Sequence, residues 1–306
     1  MPDSDLDVQP DLAAATGQYP AIPSAPERLV CGGLSHAGKV RQNNEDHFLI
    51  AKLAKSMKIT QTNLGHAGST KFSDEDGYLL VVADGMGGAA AGERASAVAV
   101  LSVEQFTLNS LKWFFHVGGK GESVLLDELR QSIETADRSV TDESHADYHL
   151  SGMGTTLTLG YCIGDDLYVV HAGDSRAYLF RENQLEQITC DHTLVQLLVD
   201  NGMITPEAAR THARRNIVTN VVGGPRAGVH SEIHKIRLQD GDLVLFCSDG
   251  LTEAVPDEQI GEILSKPENP RTLAQQLVER SLDHGAPDNV TVIVARYHPV
   301  DETTPA

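Results

Sequence analysis

Four aspartates stand where apolar runs meet turns: Asp84 in VVADG, Asp174 in VVHAGDS, Asp249 in LFCSDG, and Asp288 in APDN just before VTVIV. One Asp-Gly after a strand is usually only a turn, because Asp caps the backbone and Gly accepts positive φ. Four copies change the odds. If these strands share a sandwich, several of their ends can converge at one edge, where bare carboxylates would repel one another. A divalent cation is the natural solution. Carboxylates, a backbone carbonyl and water, without thiolate or obvious imidazole, suit the hard ions Mg²⁺ and Mn²⁺. Two such ions a few ångströms apart can bridge a hydroxide and lower its pKa, a nucleophile for phosphoryl transfer that needs no Ser or Cys intermediate. Gly85, Gly87 and Gly88 leave room for close approach beside Asp84.

The elements that must position these acids read as β at the core. Residues 78–83 (YLLVVA), 155–161 (TTLTLGY), 167–171 (LYVVH), 243–247 (LVLFC) and 290–295 (VTVIVA) are short runs rich in branched residues, most of them bounded by turn formers. Helical patterns lie between them over 89–109, 193–209 and 272–282. Leu125, Leu129, Ile133, Ala136 and Val140 recur at helix spacing, which puts one face against a core. Strand pairs followed by helix pairs favour α+β layers over an alternating parallel sheet. Residues 51–77, with Lys52, Lys55 and Lys58, and residues 112–121, with Trp113, Phe114 and Phe115, read as insertions. The aromatic trio is expected to pack on the core rather than to form a docking patch.

The totals bound the rest. The chain has 306 residues, 41% hydrophobic and 22% charged, the composition of a globular protein. With 43 Asp and Glu against 24 Lys and Arg, its formal charge is −19. Such a surface argues against nucleic acid as a partner, which needs a basic patch. No CxxC or Cys/His cluster accompanies the four cysteines, so a zinc site is not expected. The N-terminus lacks a secretory pattern, and no stretch approaches a membrane span. A cytoplasmic setting without membrane attachment is the expectation. Residues 1–27, acidic and Pro-rich, read as a disordered tail, 28–298 as one domain, and 299–306 as a short second tail.

Six stretches occur in order over most of the chain: VRQNNED (40–46), VADGMGG (82–88), MGTT (153–156), HAGDSRAY (171–178), CSDGLT (247–252) and PDNVT (287–291). Together they resemble the metal-dependent Ser/Thr protein phosphatases (the PPM, or type 2C, family) in their compact bacterial form. The resemblance implies a four-layer α-β-β-α fold, a central antiparallel β-sandwich flanked by helices, with two Mn²⁺ or Mg²⁺ ions in a cleft at one end and a weakly bound third. It implies that Asp84 bridges the two metals, that the Gly85 carbonyl completes one, and that Asp249 and Asp288 hold the other. Glu45 and Asp46 would bind the metals' water ligands, Arg41 would clamp the substrate phosphate, and Asp174 with Asp249 would hold the third ion. Asn289 would serve as turn and support. Residues 191–215, with His192 and His212, resemble the family's flap over the cleft. The implied substrates are phosphorylated Ser/Thr proteins, and the implied partner is a cognate kinase.

Met86 stands where animal and plant members often carry a histidine nearby, and it cannot give a proton to a leaving group. A metal-bound water is the expected substitute, with His192 or His212 as the next candidate. Two rival readings remain: an inactive relative that only binds phosphoproteins, and a hydrolase of small phosphate esters on the same fold.

Overall fold

The structure, a computed structural model, describes residues 27–61, 70–109, 121–225 and 228–299. The tails read over 1–27 and 299–306 fall almost wholly outside these, as does the aromatic trio at 113–115.

Two antiparallel sheets are stacked on each other. The first contains β1 (Leu29–His36), β7 (Arg176–Arg181), β8 (Gln184–Gln187), β11 (Leu243–Cys247) and β12 (Val290–Tyr297), in the order β1-β12-β11-β7-β8. The second contains β2 (Asp46–Lys58), β3 (Thr70–Met86), β4 (Gly154–Thr155), β5 (Leu157–Ile163), β6 (Asp166–Ala172), β9 (Val222–Gly223) and β10 (Glu232–Arg237). Its order is β10-β6-β5-β3-β4-β9, with β2 on the same strand β3.

The two-residue period of β3 builds both of its faces. Tyr78, Leu80 and Val82 point into the space between the sheets, where they meet Val169, Leu179, Val244, Phe246 and Ile293. Leu79, Val81 and Ala83 point outward, under α1 (Ala89–Asn109) and α2 (Glu122–Ala146). The expected face of α2 is the one that is buried: Leu125, Leu129, Ile133, Ala136 and Val140. Truncating one of them, as in Leu129→Ala, should cost about 2–5 kcal/mol. On the other side, α6 (Asp257–Leu264) and α7 (Pro270–Asp283) cover the first sheet through Ile260, Ile263, Leu273 and Leu277. The layers are therefore α-β-β-α, as expected.

Three expectations need correction. The described residues of 51–77, that is 51–61 and 70–77, are mostly strand rather than an insertion without structure. β2 and β3 continue past the sheet as a paired hairpin, with a register shift between Ala54 and Ser56. The alternation Ala51-Lys52-Leu53 supports a strand that leaves the core, and the lysines hid it. The run 155–161 is not one strand, because Thr156 turns out of the ladder. Its N–H donates to the Asp84 carbonyl at 2.9 Å, and its Oγ1 accepts from the Asp84 N–H at 2.9 Å. The helix over 193–209 is two helices, α3 (Leu194–Asp200) and α4 (Pro206–Arg210). Gly202, at φ +66°, ends the first, and Thr205-Pro206 opens the second, where a missing N–H does no harm.

No helix among the described residues is long and apolar enough to cross a membrane.

Candidate active site

The strand ends do converge. β2 and β3 pair Asp46 directly with Asp84, an arrangement of like charges that destabilises a sheet unless something offsets it. Asp249 follows β11 by way of Ser248 and opens α5 (Asp249–Thr252). Asp288 precedes β12 from the neighbouring strand of that sheet, and Asp174 sits in the turn between β6 and β7. Asp84, Asp174, Asp249 and Asp288 line one cleft of about 480 Å³, with Arg41, Glu45, Gly85, Met86, Thr156 and Asn289.

Their electrostatics are strongly frustrated. Burial pushes the Asp84 carboxyl well above the usual carboxylate range, and Asp46, Asp249, Asp174 and Asp288 push it further. Asp249 is raised in the same way, by burial and then by Asp174, Glu253, Asp288 and Asp46. Asp174 is pushed up to about 7 by burial, with Asp191 adding to the effect. Asp46 reaches about 6, where burial outweighs hydrogen bonds from Thr291 and Ser248. Asp46 Oδ1 and Asp249 Oδ1 are buried without any hydrogen-bond partner. A buried carboxylate oxygen left unpaired is costly. Both the charges and the orphan oxygens fit a site built for divalent cations.

The support around this cage is complete. Asn289 Oδ1 accepts from the Glu45 N–H at 2.8 Å, while its Nδ2 donates to the Ala37 and Asn43 carbonyls at 3.0 and 2.8 Å. One side chain thus staples the loop that carries Arg41 and Glu45. Ser248 Oγ donates to Asp46 Oδ2 at 2.8 Å and accepts from the Thr291 N–H. Gly85 and Gly92 let β3 and α1 touch: a Cβ on Gly85 would lie 2.1 Å from the Gly92 carbonyl oxygen. Arg41, with half of its side chain exposed, donates from Nη2 to Asp288 Oδ2 at 2.6 Å.

The cleft brings together Arg41, Glu45, Asp84, Gly85, Asp174, Asp249, Asp288 and Asn289, with Asp46 buried behind them. It does not include His192 or His212. None of residues 191–215 lines it; Asn216 and Val218, just beyond that segment, do. Among the described residues that line the cleft, none is His, Lys, Tyr, Cys or Ser. Its one hydroxyl, Thr156, is engaged with the Asp84 N–H and with Ser175 Oγ. Neither histidine named as the next candidate lines the cleft. Ser248 and Thr156 are the supports that sequence reading missed as such. Both lie inside quoted motifs, beside Asp249 and at the end of MGTT, which is the only signal that could have found them.

Comparison with known proteins agrees with this geometry. Residues 67–284 match the family model described as Protein phosphatase 2C. The serine/threonine protein phosphatase PstP of Mycobacterium tuberculosis is 41% identical over 261 residues, which cover 85% of this chain and 43% of that protein. The chain thus spans less than half the length of that relative. The serine/threonine phosphatase stp of Listeria welshimeri is 30% identical over 257 residues, covering 84% of this chain and 91% of the relative. The crystal structure of the PstP catalytic domain in complex with two manganese ions superposes with a TM-score of 0.68 at 35% identity, covering 88% of this chain and 97% of that one. By the family match, the identity and the shared fold, the chain belongs to the protein phosphatase 2C family.

Proposed function

We propose that this chain is a metal-dependent phosphatase that hydrolyses phosphoserine and phosphothreonine in proteins. The observation that carries the reading is the frustrated carboxylate cage, with Asp46 Oδ1 and Asp249 Oδ1 buried and unpaired. Asp84, the Gly85 carbonyl, Glu45, Asp249 and Asp288 would hold two Mn²⁺ or Mg²⁺ ions, and Asp174 with Asp249 a third, weaker one. When bound, such ions supply Lewis-acid polarisation of phosphoryl oxygens and of water.

The chain's own residues do the rest. Arg41 has one N–H committed to Asp288 and others left for a phosphate, which its planar fork matches. Asp288 therefore orients the clamp as well as contributing charge to the cage. Asn289 holds the Arg41–Glu45 loop in place, so the clamp and the cage keep one geometry. Asn216 and Val218, just beyond the flap segment, wall the cleft on that side. With the cleft carboxylates committed on this reading to the ions, and the Thr156 hydroxyl to the Asp84 N–H and Ser175, hydrolysis proceeds by direct attack of water on phosphorus rather than through a phosphoenzyme.

The partners on this reading are phosphorylated proteins and the kinase that modifies them, in the cytoplasm. The test is phosphate release from phosphoserine, phosphothreonine and phosphotyrosine peptides with Mn²⁺ and after EDTA. Turnover of the first two that disappears on chelation is expected. Activity confined to small esters would select the ester-hydrolase reading, and Mn²⁺ binding without any turnover would select the inactive-binder reading.

A further inference from the structure

Behind the cleft, at the root of the flap segment, lies a cluster that the proposed chemistry does not use: His171, His192, Glu232 and His234. One ligand-type atom each from His171, His192 and Glu232 lies within 4.8 Å of the others, a spacing that suggests a further cation site. The proton count argues against one. A neutral imidazole has one N–H and one lone pair. His192 Nδ1 faces two donors, the Gly173 N–H at 3.1 Å and Asn220 Nδ2 at 2.9 Å. The orientation of Asn220 is fixed, because its Nδ2 also donates to the His230 carbonyl and its Oδ1 accepts from the His230 N–H. His192 Nδ1 is therefore the lone-pair nitrogen. Its Nε2 carries the proton and points at Glu232 Oε2, 3.5 Å away. His171 Nε2 lies 3.2 Å from the Cys190 carbonyl, which can only accept, so it carries a proton as well. Its Nδ1 takes the Thr158 hydroxyl at 2.9 Å. Neither Nε2 has a lone pair to give a metal.

What His192 does hold is the turn that presents Asp174. Its backbone N–H donates to the Gly173 carbonyl at 2.7 Å, and the Gly173 N–H returns a bond to its ring. This closed pair grips a residue whose backbone conformation only glycine adopts readily. Gly173 sits at φ +124°, and a Cβ there would lie 2.5 Å from Thr156 Cβ. Beyond Asp174, the Ser175 hydroxyl meets Thr156 Oγ1, which accepts from the Asp84 N–H. The turn is thus held on one side by the Asp84 strand and on the other by His192. Glu232 completes the arrangement: it lies opposite His171 in the β10–β6 ladder and accepts from His234 Nε2 at 2.5 Å. Burial works against its charge, but the bonds from His192 and His234 prevail and hold its carboxyl at about 2. It stays an acceptor and keeps the His192 proton on Nε2.

We propose that His192 is a positioning residue for Asp174: with Nε2–H directed to Glu232, its Nδ1 holds the Gly173 peptide and so fixes where the Asp174 carboxylate stands in the cleft. This rests on the reading of Asp174 as a carboxylate needed for turnover. Such outer partners typically matter by about 10–100-fold, the loss of Mn²⁺-dependent turnover expected for His192→Ala, with the first two ions still loading in calorimetry. His192→Asn should recover most of it, because the Asn side-chain oxygen reaches the Nδ1 position and can accept the same N–H groups. In an Asp174→Ala background, His192→Ala should cost nothing further; losses that multiply would overturn the proposal. A wild-type rate for Asp174→Ala alone would instead remove the reading of Asp174, and the positioning role with it. Should His192→Ala fail to fold, ¹⁵N–¹H spectra of the ring in the wild-type chain decide: an Nε2–H tautomer is expected, and an Nδ1–H tautomer overturns the proposal.

Discussion

Two clusters of ligand-type side chains lie on either side of the β6–β7 turn, and they differ in one respect that matters. Asp84, Asp174, Asp249 and Asp288 share the cleft with Asp46 buried behind them, and two of these oxygens are buried without a partner. At the flap root, ligand-type atoms of His171, His192 and Glu232 lie within 4.8 Å of one another, yet the nitrogens of both rings and both Glu232 oxygens have partners. Proximity of ligand-type residues therefore does not identify a metal site. What distinguishes the cleft is like charge gathered around lone pairs left unused, a state that is costly unless something else completes it.

The largest expected effect breaks the cage itself. Asp249→Asn keeps the shape but removes one charge and weakens a proposed ligand. Turnover with Mn²⁺ should fall by orders of magnitude, and EDTA should abolish it in the unmodified chain. Phosphate-release assays check both, and a near-normal rate in Asp249→Asn would reject its assignment. Glu232→Gln, by contrast, should leave two-ion binding intact in calorimetry, because the flap-root cluster is not part of the cage.

The clusters should also respond to pH with opposite signs. In the metal-free protein, Asp46 is pushed up to about 6 and Asp174 to about 7, above the ~3.9 of an unfolded aspartate. Between roughly pH 4 and 7 the folded state binds more protons than the unfolded one, so stability falls as pH rises through that window. Glu232 behaves oppositely: held at about 2, it stabilises the fold above the unfolded value of ~4.3, and that contribution is lost as pH falls. EDTA-treated protein should melt higher at pH 5 than at pH 8, with Mn²⁺ restoring the loss at pH 8. Asp46→Asn should shrink the pH difference. Melting temperatures independent of pH, with or without that change, would mean that the carboxylates do not share a buried site.

Asp84, Asp174, Asp249 and Asp288 were legible because each carries a local signature, an Asp where an apolar run meets a turn, whereas Glu45 and Asp46 came only from the resemblance. The buried face of α2 was legible for the same reason, since Leu125, Leu129 and Ile133 advertise their period locally. What escaped was held by distant partners. Ser248 finds Asp46 across 202 positions of sequence, and nothing near either residue announces it. Glu232 lies in EIHKIR, a polar strand whose place is set only by pairing with β6. The β2–β3 hairpin was hidden by lysines on a strand that leaves the core. Local chemistry could be read from the sequence, but register could not.

Asn289 offers an intermediate test of how far support and cage are coupled. Asn289→Ala would leave the Glu45 N–H and the Ala37 and Asn43 carbonyls without their partner. Leaving buried groups unpaired costs about 1–3 kcal/mol. That corresponds to several degrees of melting temperature, at about 2–4 °C per kcal/mol for a large domain. Metal affinity should also weaken, by about 10–100-fold if the loop behaves as an outer shell. Thermal melts and calorimetric titration separate the two effects. Full stability with weak metal binding would show that Asn289 serves only the cage.

The smallest effect is expected at Met86, which lines the cleft but has no proton to give. General acid catalysis contributes typically 10²–10⁴-fold, and its absence is felt most when the leaving group is a poor one. A serine alkoxide needs a proton as it departs, whereas an aryl oxide hardly does. If Met86 is only part of the wall, Met86→Leu should leave the rates on phosphoserine peptides and on aryl phosphates nearly unchanged, and in the same ratio. The side chain is close in volume, and such exchanges generally cost under about 1.5 kcal/mol in stability. Met86→His is the sharper variant, because it places a titratable ring where the described cleft residues have none. If proton supply limits the wild-type enzyme, this change should flatten the dependence of rate on leaving-group pKa and accelerate alkyl substrates alone. An unchanged slope would mean that proton supply is not limiting, as expected if a water held by the cage already delivers the proton. The contrast between the two clusters would then extend to function, with the unbalanced one serving both cation and proton and the balanced one serving neither.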